Sequence, residues 1–409
     1  MAPGPDEAEA WLDSLAGVGW RPGLARIESL CEVLGRPQDR FRSIHVVGTN
    51  GKTSTTRSAA AILTARGVRN GCMTSPHFEH WSERVLVDGG EVDASVWSDS
   101  VARVRDAIPQ VESSLPDSGP VTQFEASVAA ELLSLAESGV EIAVVEAGMG
   151  GRLDATNVLS SEVVVLTSIG LDHTEWLGPT RSAIAIEKLA VLSPDATLIT
   201  GPLDPEIEAL AERTASELGC GRVEVSGTEL GAWPRGEFRR LAFSLAEAAV
   251  EALVGPSDRT LLDRVSREFV VPGRLESLGG DPEIIFDVAH NPDGIEALAA
   301  ALPEVVGDRP VVAVFGVLSD KDHASMIEAL GSITSEVFLC RPVVEAGEAS
   351  GRRAVEPVEL VEVSAAVGLE ARIAEDPAGA LALARSEAAS RGAVVLVCGS
   401  HLLRAALQD

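Results

Sequence analysis

Short apolar runs alternate along the chain with longer, alanine-rich stretches that carry charges at helical spacing. The first group of runs covers residues 43–47, 142–146, 163–168 and 197–200. Strands of a parallel sheet covered by helices on both faces have this continuous apolar character. Residues 84–92 instead alternate around a Gly-Gly pair, which predicts a β-hairpin. The pattern therefore predicts a mainly parallel α/β sheet.

A second alternation begins after Pro272-Gly273. Its apolar runs, again separated by helix-like stretches, cover residues 284–287, 311–315, 337–340 and 394–398. A chain of 409 residues also exceeds what one hydrophobic core usually organises. We therefore predict two α/β domains, residues 1–271 and 272–409, with the boundary near 271–274.

A glycine-rich loop follows the first apolar run and leads into a helix-like stretch that ends near Arg66. Strand, loop and helix in this order form an anion cradle: backbone N–H groups hold phosphates, a lysine reaches the outer phosphates, and a hydroxyl meets Mg²⁺. Val46 occupies the place of the pattern's first glycine. The predicted nucleoside triphosphate ligands are Gly48, Thr49, Asn50, Gly51, Lys52, Thr53 and Ser54.

The predicted fold class is therefore α/β, with a P-loop parallel-sheet ATP-binding domain and a smaller, Rossmann-like C-terminal α/β domain. Polar residues follow the predicted strands: Glu146 ends one run, and Asp172 and His173 follow the next. Open parallel sheets bind ligands at the carboxyl ends of their strands. We expect Glu146 to bind Mg²⁺. A structural role is the alternative for Asp172 and His173, but converging strand ends favour a site.

The chain contains only three lysines, Lys52, Lys188 and Lys321, against thirty arginines. Such a bias leaves lysine mainly where a compact, rotatable amine is needed. Lys188 lies on a helix-like stretch, and an exposed lysine paired with an acid is the ordinary explanation. A function that arginine cannot perform is carbamylation, in which a buried neutral amine captures CO₂ and becomes an anionic metal ligand.

Composition excludes several function classes. A net charge of −29 argues against a nucleic-acid or anionic membrane surface, because polyanions are bound by basic patches. The five cysteines are odd in number and lack a CxxC pair, so neither a disulfide framework nor a zinc site is indicated. The N-terminus is acidic and no apolar run of about 18 residues occurs, so we predict a cytoplasmic protein.

Together the motifs resemble the folylpolyglutamate synthase/dihydrofolate synthase family of Mur-type ligases. The resemblance runs from about residue 10 to the C-terminus. Besides the P-loop and Glu187-Lys188, it rests on the motifs at residues 74–77, Glu83-Arg84, Glu146 with 150–157, 170–178, 272–274, 287–292 and 320–322.

The resemblance implies an ATP-dependent ligase. Transfer of the γ-phosphoryl group to a folate-linked carboxylate makes an acyl phosphate, which the amine of L-glutamate attacks. It also implies two Mg²⁺ ions, K⁺ as a further candidate cation, and a monomer that binds folate or dihydropteroate together with L-glutamate. These residues do not distinguish dihydropteroate from tetrahydrofolate as the acceptor.

By position, the resemblance implies roles for individual residues. Those matching catalytic positions are Lys52, His173, His290 and Lys188, the last as a carbamylated lysine. Those matching Mg²⁺ ligands are Ser75, Glu146 and His173, with Thr53 or Ser54 beside the metal. Those matching nucleotide contacts in the second domain are Arg274 and Asp287, and those matching substrate contacts are His290, Ser400 and Arg84. Lys321 lies in a motif that matches the family, but the resemblance implies no firm role for it.

The chain departs from the family between Thr200 and Val271. The family usually has a longer segment there, with an asparagine that contacts ATP, whereas this chain has no asparagine between Asn157 and Asn291. A short Trp233-Pro234-Arg235-Gly236 stretch remains. Two alternatives stay open: a Mur-type ligase for another carboxylate acceptor, such as a peptidoglycan precursor, and a non-catalytic nucleotide-binding relative.

Overall fold

The computed structural model describes residues 4–19, 21–226, 233–343 and 353–407. The chain divides into two compact units. The first unit comprises Met1–Gly231 and Leu241–Phe269, and the second comprises Ala232–Arg240 and Val270–Asp409. Each unit has a sheet of its own, and the predicted α/β class is confirmed.

The first unit contains an eight-stranded sheet. Its strands are β1 (Arg42–Val47), β2 (Asn70–Met73), β3 (Val85–Val87), β4 (Gly90–Glu91), β5 (Ile142–Glu146), β6 (Val163–Leu166), β7 (Thr197–Thr200) and β8 (Gly221–Glu224). Its helices are α1 (Pro5–Ser14), α2 (Ala25–Val33), α3 (Lys52–Ala65), α4 (Ala94–Ser114), α5 (Gln123–Glu137), α6 (Thr174–Leu177), α7 (Arg181–Leu189), α8 (Pro205–Leu218), α9 (Glu237–Val254) and α10 (Arg259–Glu268). The first turn of α9 is grouped with the second unit.

The strands lie in the order β4-β3-β2-β5-β1-β6-β7-β8. All pairs are parallel except β2 with β3 and β3 with β4, which form the predicted hairpin side of the sheet. The central strands bury both faces: Ala143 and Val145 pack under α4 and α5, while Val144 faces the core formed with α3 and α9. Because β1 pairs in parallel with both β5 and β6, the carboxyl ends of these three strands lie at one edge of the sheet.

The second unit contains a six-stranded sheet. Its strands are β9 (Glu276–Gly279), β10 (Ile284–Phe286), β11 (Val311–Phe315), β12 (Glu336–Leu339), β13 (Glu370–Ile373) and β14 (Val394–Cys398). Its helices are α11 (Pro292–Val306), α12 (His323–Leu330), α13 (Pro357–Ala366) and α14 (Pro377–Arg391). The order is β13-β12-β11-β14-β10-β9, and only β9 is antiparallel to its neighbour.

The eight predicted strands are all present, within a residue or two of the predicted bounds. The strands outside that prediction are short or lie near an edge. β2 has the sequence Asn-Gly-Cys-Met, which lacks β-branched residues, and the edge strands β8 and β13 are largely exposed. Their position in the sheet comes from pairing with a neighbour rather than from a local pattern.

Candidate active site

The loop between β1 and α3 is held in a conformation that requires glycine. Gly48 has φ +154, and a Cβ atom there would lie 1.9 Å from the Thr167 hydroxyl oxygen. Gly51 has φ +87 immediately before the first residue of α3. Both values lie in the region that side chains disfavour. The loop can therefore wrap closely around the end of β6.

Residues after β6 hold this loop through hydrogen bonds. The Thr49 N–H donates to the Ser168 carbonyl at 2.9 Å, and the Asn50 N–H donates to the Ser168 hydroxyl at 2.9 Å. Lys52 begins α3, and its Nζ donates to the carbonyls of Gly48 and Thr49 at 3.2 Å each. The ammonium group and the N-terminus of α3 thus lie beside one loop, which is the arrangement that binds phosphate.

Glu146 brings together two other predicted site residues. It is buried at the end of β5. One carboxylate oxygen accepts from the Thr53 hydroxyl at 3.0 Å, and the other accepts from the Ser75 N–H at 3.2 Å. The Ser54 hydroxyl is buried without a hydrogen-bond partner among the described residues. Thr53, rather than Ser54, is therefore the hydroxyl next to the acid.

Lys188 lies on α7 and its side chain reaches the same loop. Only 4% of the residue is exposed, and Nζ donates to the Gly48 carbonyl at 2.8 Å. Burial, assisted by the charge of Lys52, lowers the pKa of Lys188 from 10.5 to about 7, while Asp172 and Asp154 oppose the shift. A large fraction of this amine is consequently neutral near physiological pH.

Gly151 allows close packing against the Lys188 turn. A Cβ atom at Gly151 would lie 2.6 Å from the Glu187 carbonyl and 3.0 Å from Cα of Lys188. The next residue, Arg152, donates its N–H to the Glu187 carbonyl at 2.9 Å. Gly151 and Arg152 therefore pack directly against the backbone that carries Lys188.

His173 occupies an unusual backbone position. Its φ is +50, and its N–H donates to the Asp172 carboxylate at 2.9 Å. The imidazole Nε2 lies 3.9 Å from the same carboxylate oxygen. The charge of Asp172 also opposes the lowering of the Lys188 pKa, so this acid influences two predicted catalytic residues. Positive φ is uncommon for histidine and persists where surrounding contacts demand it.

A buried polar network supports the loop after β5, and individual roles in it were not predicted from sequence. Asp154 accepts from the Met149 N–H at 2.7 Å and from the Thr156 hydroxyl at 2.5 Å. The Thr156 hydroxyl also lies 2.8 Å from Nε2 of His45. Burial lowers the pKa of His45 to about 4, so the imidazole is neutral. The only sequence signal was that Asp154 and Thr156 fall in a recognised motif.

Arg84 is held by two aromatic rings. Its Nε donates to Nδ1 of His77 at 2.9 Å, and its guanidinium lies 4.2 Å from the centre of the Trp81 ring. The backbone N–H of Trp81 donates to the Glu9 carboxylate of α1 at 2.6 Å, and its indole N–H donates to Asp13 at 2.9 Å. Burial raises the pKa of Glu131 on α5 to about 7, and the charge of Arg84 is the largest influence that lowers it.

In the second unit, Asp287 directly follows β10. Its two carboxylate oxygens accept from the N–H groups of Leu275 and Ala289, at 2.8 Å each. Burial raises its pKa, and the charge of Arg274 is the largest influence in the opposite direction. Nδ1 of His290 lies 2.9 Å from the Val288 carbonyl.

Ser400 follows β14 and is buried. Its hydroxyl accepts from the Leu402 N–H at 3.3 Å. Gly399 has φ +108 and donates its N–H to the Ala289 carbonyl at 3.0 Å. This bond ties the loop carrying Ser400 to the loop carrying Asp287 and His290. Asp287, His290 and Ser400 therefore follow the adjoining strand ends of β10 and β14, whereas Arg274 precedes β9, the antiparallel neighbour of β10.

No group of three or more His, Cys, Asp and Glu side chains forms a ready metal centre within the described ranges. Mg²⁺ is usually held by one or two carboxylates together with waters and substrate phosphates. A single carboxylate with a hydroxyl beside a phosphate loop, as at Glu146 and Thr53, fits that ion.

Comparison with known proteins agrees with this geometry. Residues 46–220 match the Mur ligase middle domain, and residues 273–401 match the Mur ligase glutamate ligase domain. The dihydrofolate synthase/folylpolyglutamate synthase of Mycobacterium tuberculosis is 34% identical over 390 residues, covering 83% of this chain and 80% of the relative. This chain belongs to the folylpolyglutamate synthase/dihydrofolate synthase family of Mur ligases.

Solved structures of this family are similar over the whole chain. Mycobacterium tuberculosis folylpolyglutamate synthase complexed with ADP aligns with a TM-score of 0.89 at 29% identity, covering 98% of this chain and 97% of that one. A bifunctional folylpolyglutamate synthase/dihydrofolate synthase with Mn, AMPPNP and L-glutamate bound aligns with a TM-score of 0.81 at 29% identity, and both chains are covered completely. The resemblance inferred from the sequence motifs is confirmed.

No helix in the described part of the chain is both long and apolar enough to cross a membrane. All five cysteines are free, and every one except Cys220 is buried.

Proposed function

We propose that this protein is a folylpolyglutamate synthase that uses ATP to add L-glutamate to tetrahydrofolate, and that it also adds glutamate to dihydropteroate. The observation that carries the proposal is the contact of Glu146 with Thr53 and Ser75 beside the Lys52 loop, in a chain 34% identical to a protein named for both activities.

Lys52 and the N–H groups of residues 48–54 are placed to hold the phosphates of ATP. The acceptor's carboxylate oxygen attacks the γ-phosphorus, ADP leaves, and an acyl phosphate results. The glutamate amine then attacks the acyl carbon, and inorganic phosphate leaves as the amide forms. Phosphoryl transfer of this kind depends mainly on positioning and on neutralising charge, which is what a lysine and aligned N–H groups supply.

Glu146, Ser75, His173 and the Thr53 hydroxyl are the residues proposed to hold Mg²⁺. The bound ion would neutralise charge on the transferred phosphoryl group. Manganese accompanies AMPPNP and glutamate in the related solved structure. Two divalent ions and K⁺ as a further cation remain part of the proposal from family resemblance.

Lys188 is proposed to carry a carbamate. The neutral amine attacks CO₂, a C–N bond forms, and the proton lost from nitrogen goes to solvent. Burial and a pKa of about 7 favour the neutral amine that this step requires. The hydrogen bond from the unmodified amine to the Gly48 carbonyl supports the proposal, because it brings Nζ to the phosphate loop.

In the second unit, Arg274 and Asp287 are proposed to contact the nucleotide, and His290 and Ser400 to contact glutamate. Arg84, fixed between His77 and Trp81, is proposed to contact the folate substrate. A monomer in the cytoplasm remains the expectation from sequence.

The comparisons favour the folate branch over the two other candidates. The relatives that match are named for folate ligation rather than for peptidoglycan synthesis. A non-catalytic relative would have no reason to keep Lys188 buried at the phosphate loop in a chain that otherwise uses arginine.

The test is ADP release by the purified protein with Mg-ATP and L-glutamate, comparing tetrahydrofolate, dihydropteroate and no acceptor. Lys52→Ala is run in parallel, because it removes the phosphate-binding amine and exposes any contaminating ATPase. We expect release with each pterin acceptor and none without one. Release with tetrahydrofolate alone would restrict the proposal to the polyglutamate synthase. No acceptor-dependent release would overturn it.

A further inference from the structure

The turn that carries Arg274 has an unusual backbone. Gly273 has φ +66 and Leu275 has φ +46, so the residues on both sides of Arg274 lie in the left-handed region. A leucine adopts this region only where surrounding contacts impose it. The direction of the Arg274 side chain therefore depends on the contacts that hold this turn.

Hydrogen bonds hold Gly273 through both its N–H and its carbonyl. The N–H donates to the Glu276 carboxylate at 2.8 Å. The carbonyl accepts from the Val288 N–H and from Nη1 of Arg274, at 3.0 Å each. The Glu276 side chain therefore closes the turn over Arg274, in the way that a capping carboxylate closes the first turn of a helix.

Arg404 fixes the Glu276 carboxylate although the two residues lie far apart in the sequence. It belongs to a short 3₁₀ helix, His401–Leu407. Its Nη1 donates at 2.8 Å to the oxygen that also accepts from Gly273, and its Nη2 donates at 3.3 Å to the other oxygen. The guanidinium lies 5.4 Å from the centre of the ring of Phe286, the register partner of Glu276. A two-pronged pair of this kind sets the plane of the carboxylate.

This ion pair is largely shielded from solvent. The exposed fractions of the Arg404 and Glu276 side chains are 22% and 15%. Leu403, the neighbour of Arg404, is fully buried and anchors the 3₁₀ helix. Without the guanidinium, a carboxylate that has lost most of its hydration gains by turning toward water. The turn that it closes can then relax out of its left-handed conformation.

We propose that Arg404 is a positioning residue for nucleotide binding, which acts through Glu276 to hold Arg274 in the direction that contacts the nucleotide. The inference rests on the proposed function, in which Arg274 is a nucleotide contact. Arg404 itself touches no substrate in this role. A lysine can replace it only in part, because an ammonium is a point charge without the planar fork.

The experiment measures the dissociation constant of Mg-ATP by isothermal titration calorimetry, without acceptor or glutamate. Wild type is compared with Arg404→Met, Arg274→Ala and the double variant. We expect Arg404→Met to weaken ATP binding about tenfold, and to have no further effect once residue 274 is alanine. Arg404→Lys should lose less affinity than Arg404→Met.

Arg309→Met is the matched control. Arg309 pairs with Glu283 at 2.7 Å, just before the first residue of β10, so its removal takes the same charge and an ion pair from the same unit. ATP binding by this variant should equal that of wild type. Thermal unfolding checks that each variant is folded. If Arg404→Met does not fold, Glu276→Gln replaces it, because the amide oxygen still accepts from Gly273 but cannot form the two-pronged pair.

The outcomes separate this inference from the proposed function. ATP binding by folded Arg404→Met as tight as by wild type would overturn the role of Arg404, even if acceptor-dependent ADP release is normal. Equal weakening in Arg309→Met, or an undiminished effect of Arg404→Met in the Arg274→Ala background, would also overturn it. Wild-type affinity in Arg274→Ala would remove the contact on which the role depends. Weakening that disappears in the Arg274→Ala background supports the inference, even if no pterin acceptor is used.

Discussion

Replacing Lys188 with arginine gives the sharpest test of the carbamate, because arginine is always charged and cannot form one. With a pKa of about 7, about three-quarters of the Lys188 amine is neutral at pH 7.5, against roughly one in a thousand for an ordinary lysine. The fold thus enriches the reactive form several hundredfold. Arginine remains charged at any working pH.

We expect Lys188→Arg to lower turnover by a factor of about 10² or more, the scale seen when a charged group that stabilises the transition state is removed. Lys188→Met is the matched control, since it fills the buried space without charge. Both variants should lack activity, but only the arginine variant forces a permanent charge beside Lys52, which should cost stability. Thermal unfolding distinguishes loss of fold from loss of chemistry.

The pKa of Lys188 also predicts a pH dependence in buffer free of CO₂. Its folded pKa lies below the unfolded value of 10.5, so the unfolded chain binds the extra proton between about pH 7 and 10.5. The wild type should therefore gain stability relative to Lys188→Met as the pH rises through that window, by up to about 5 kcal/mol. Urea unfolding of both proteins at several pH values measures the difference.

The assay for the modification itself is ¹³C NMR of protein equilibrated with ¹³C-labelled bicarbonate. A carbamate signal should appear in the wild type and be absent from Lys188→Met. Near-normal turnover of the arginine variant, or equal signals in the two proteins, would refute the reasoning.

Three further predictions concern the surroundings of the site. Burial raises the folded pKa of Glu131 from 4.5 to about 7, so stability is lost as the pH rises through that range. Glu131→Gln should then be more stable than wild type at pH 8 by up to about 3 kcal/mol, as measured by urea unfolding. An equal difference in stability at pH 5 would contradict this prediction. Gly48→Ala should abolish ATP binding measured by calorimetry and lower the free energy of unfolding by about 3 kcal/mol or more, because its Cβ would lie 1.9 Å from the Thr167 hydroxyl oxygen. Unchanged ATP binding would argue against the role of this loop. Glu125→Ala should cost about 3–5 kcal/mol in denaturant unfolding, because it leaves Arg26 buried without its carboxylate partner, and a change below 1 kcal/mol would be inconsistent with that pair.

The sequence was most informative where structure depends on local pattern. A run such as Val163–Leu166 is apolar throughout because both faces of a central strand are covered, so its character is visible without its neighbours. The edge strand β13 carries no such signal, because it becomes a strand only by pairing with β12. The same reasoning explains why β2 was outside the prediction.

Some features of the site also follow from local sequence, whereas others depend on the folded structure. The strand-end rule placed Glu146 near the phosphate loop, because parallel strands all end at one edge. Whether Thr53 or Ser54 faces it depended on where α3 begins, since each helical residue rotates the side-chain direction by about 100°. Only the three-dimensional structure shows Thr53 bonded to Glu146 and Ser54 buried without a partner among the described residues.

The sequence by itself determined the α/β class, the phosphate loop, the family and the three lysines, because each is written in consecutive residues or in a local period. Tertiary structure alone decided the burial that shifts the pKa of Lys188, the network of His45 and Asp154, and the grouping of residues 232–240 with the second unit. These features depend on atoms far apart in the chain, whose proximity is set by packing rather than by any local preference.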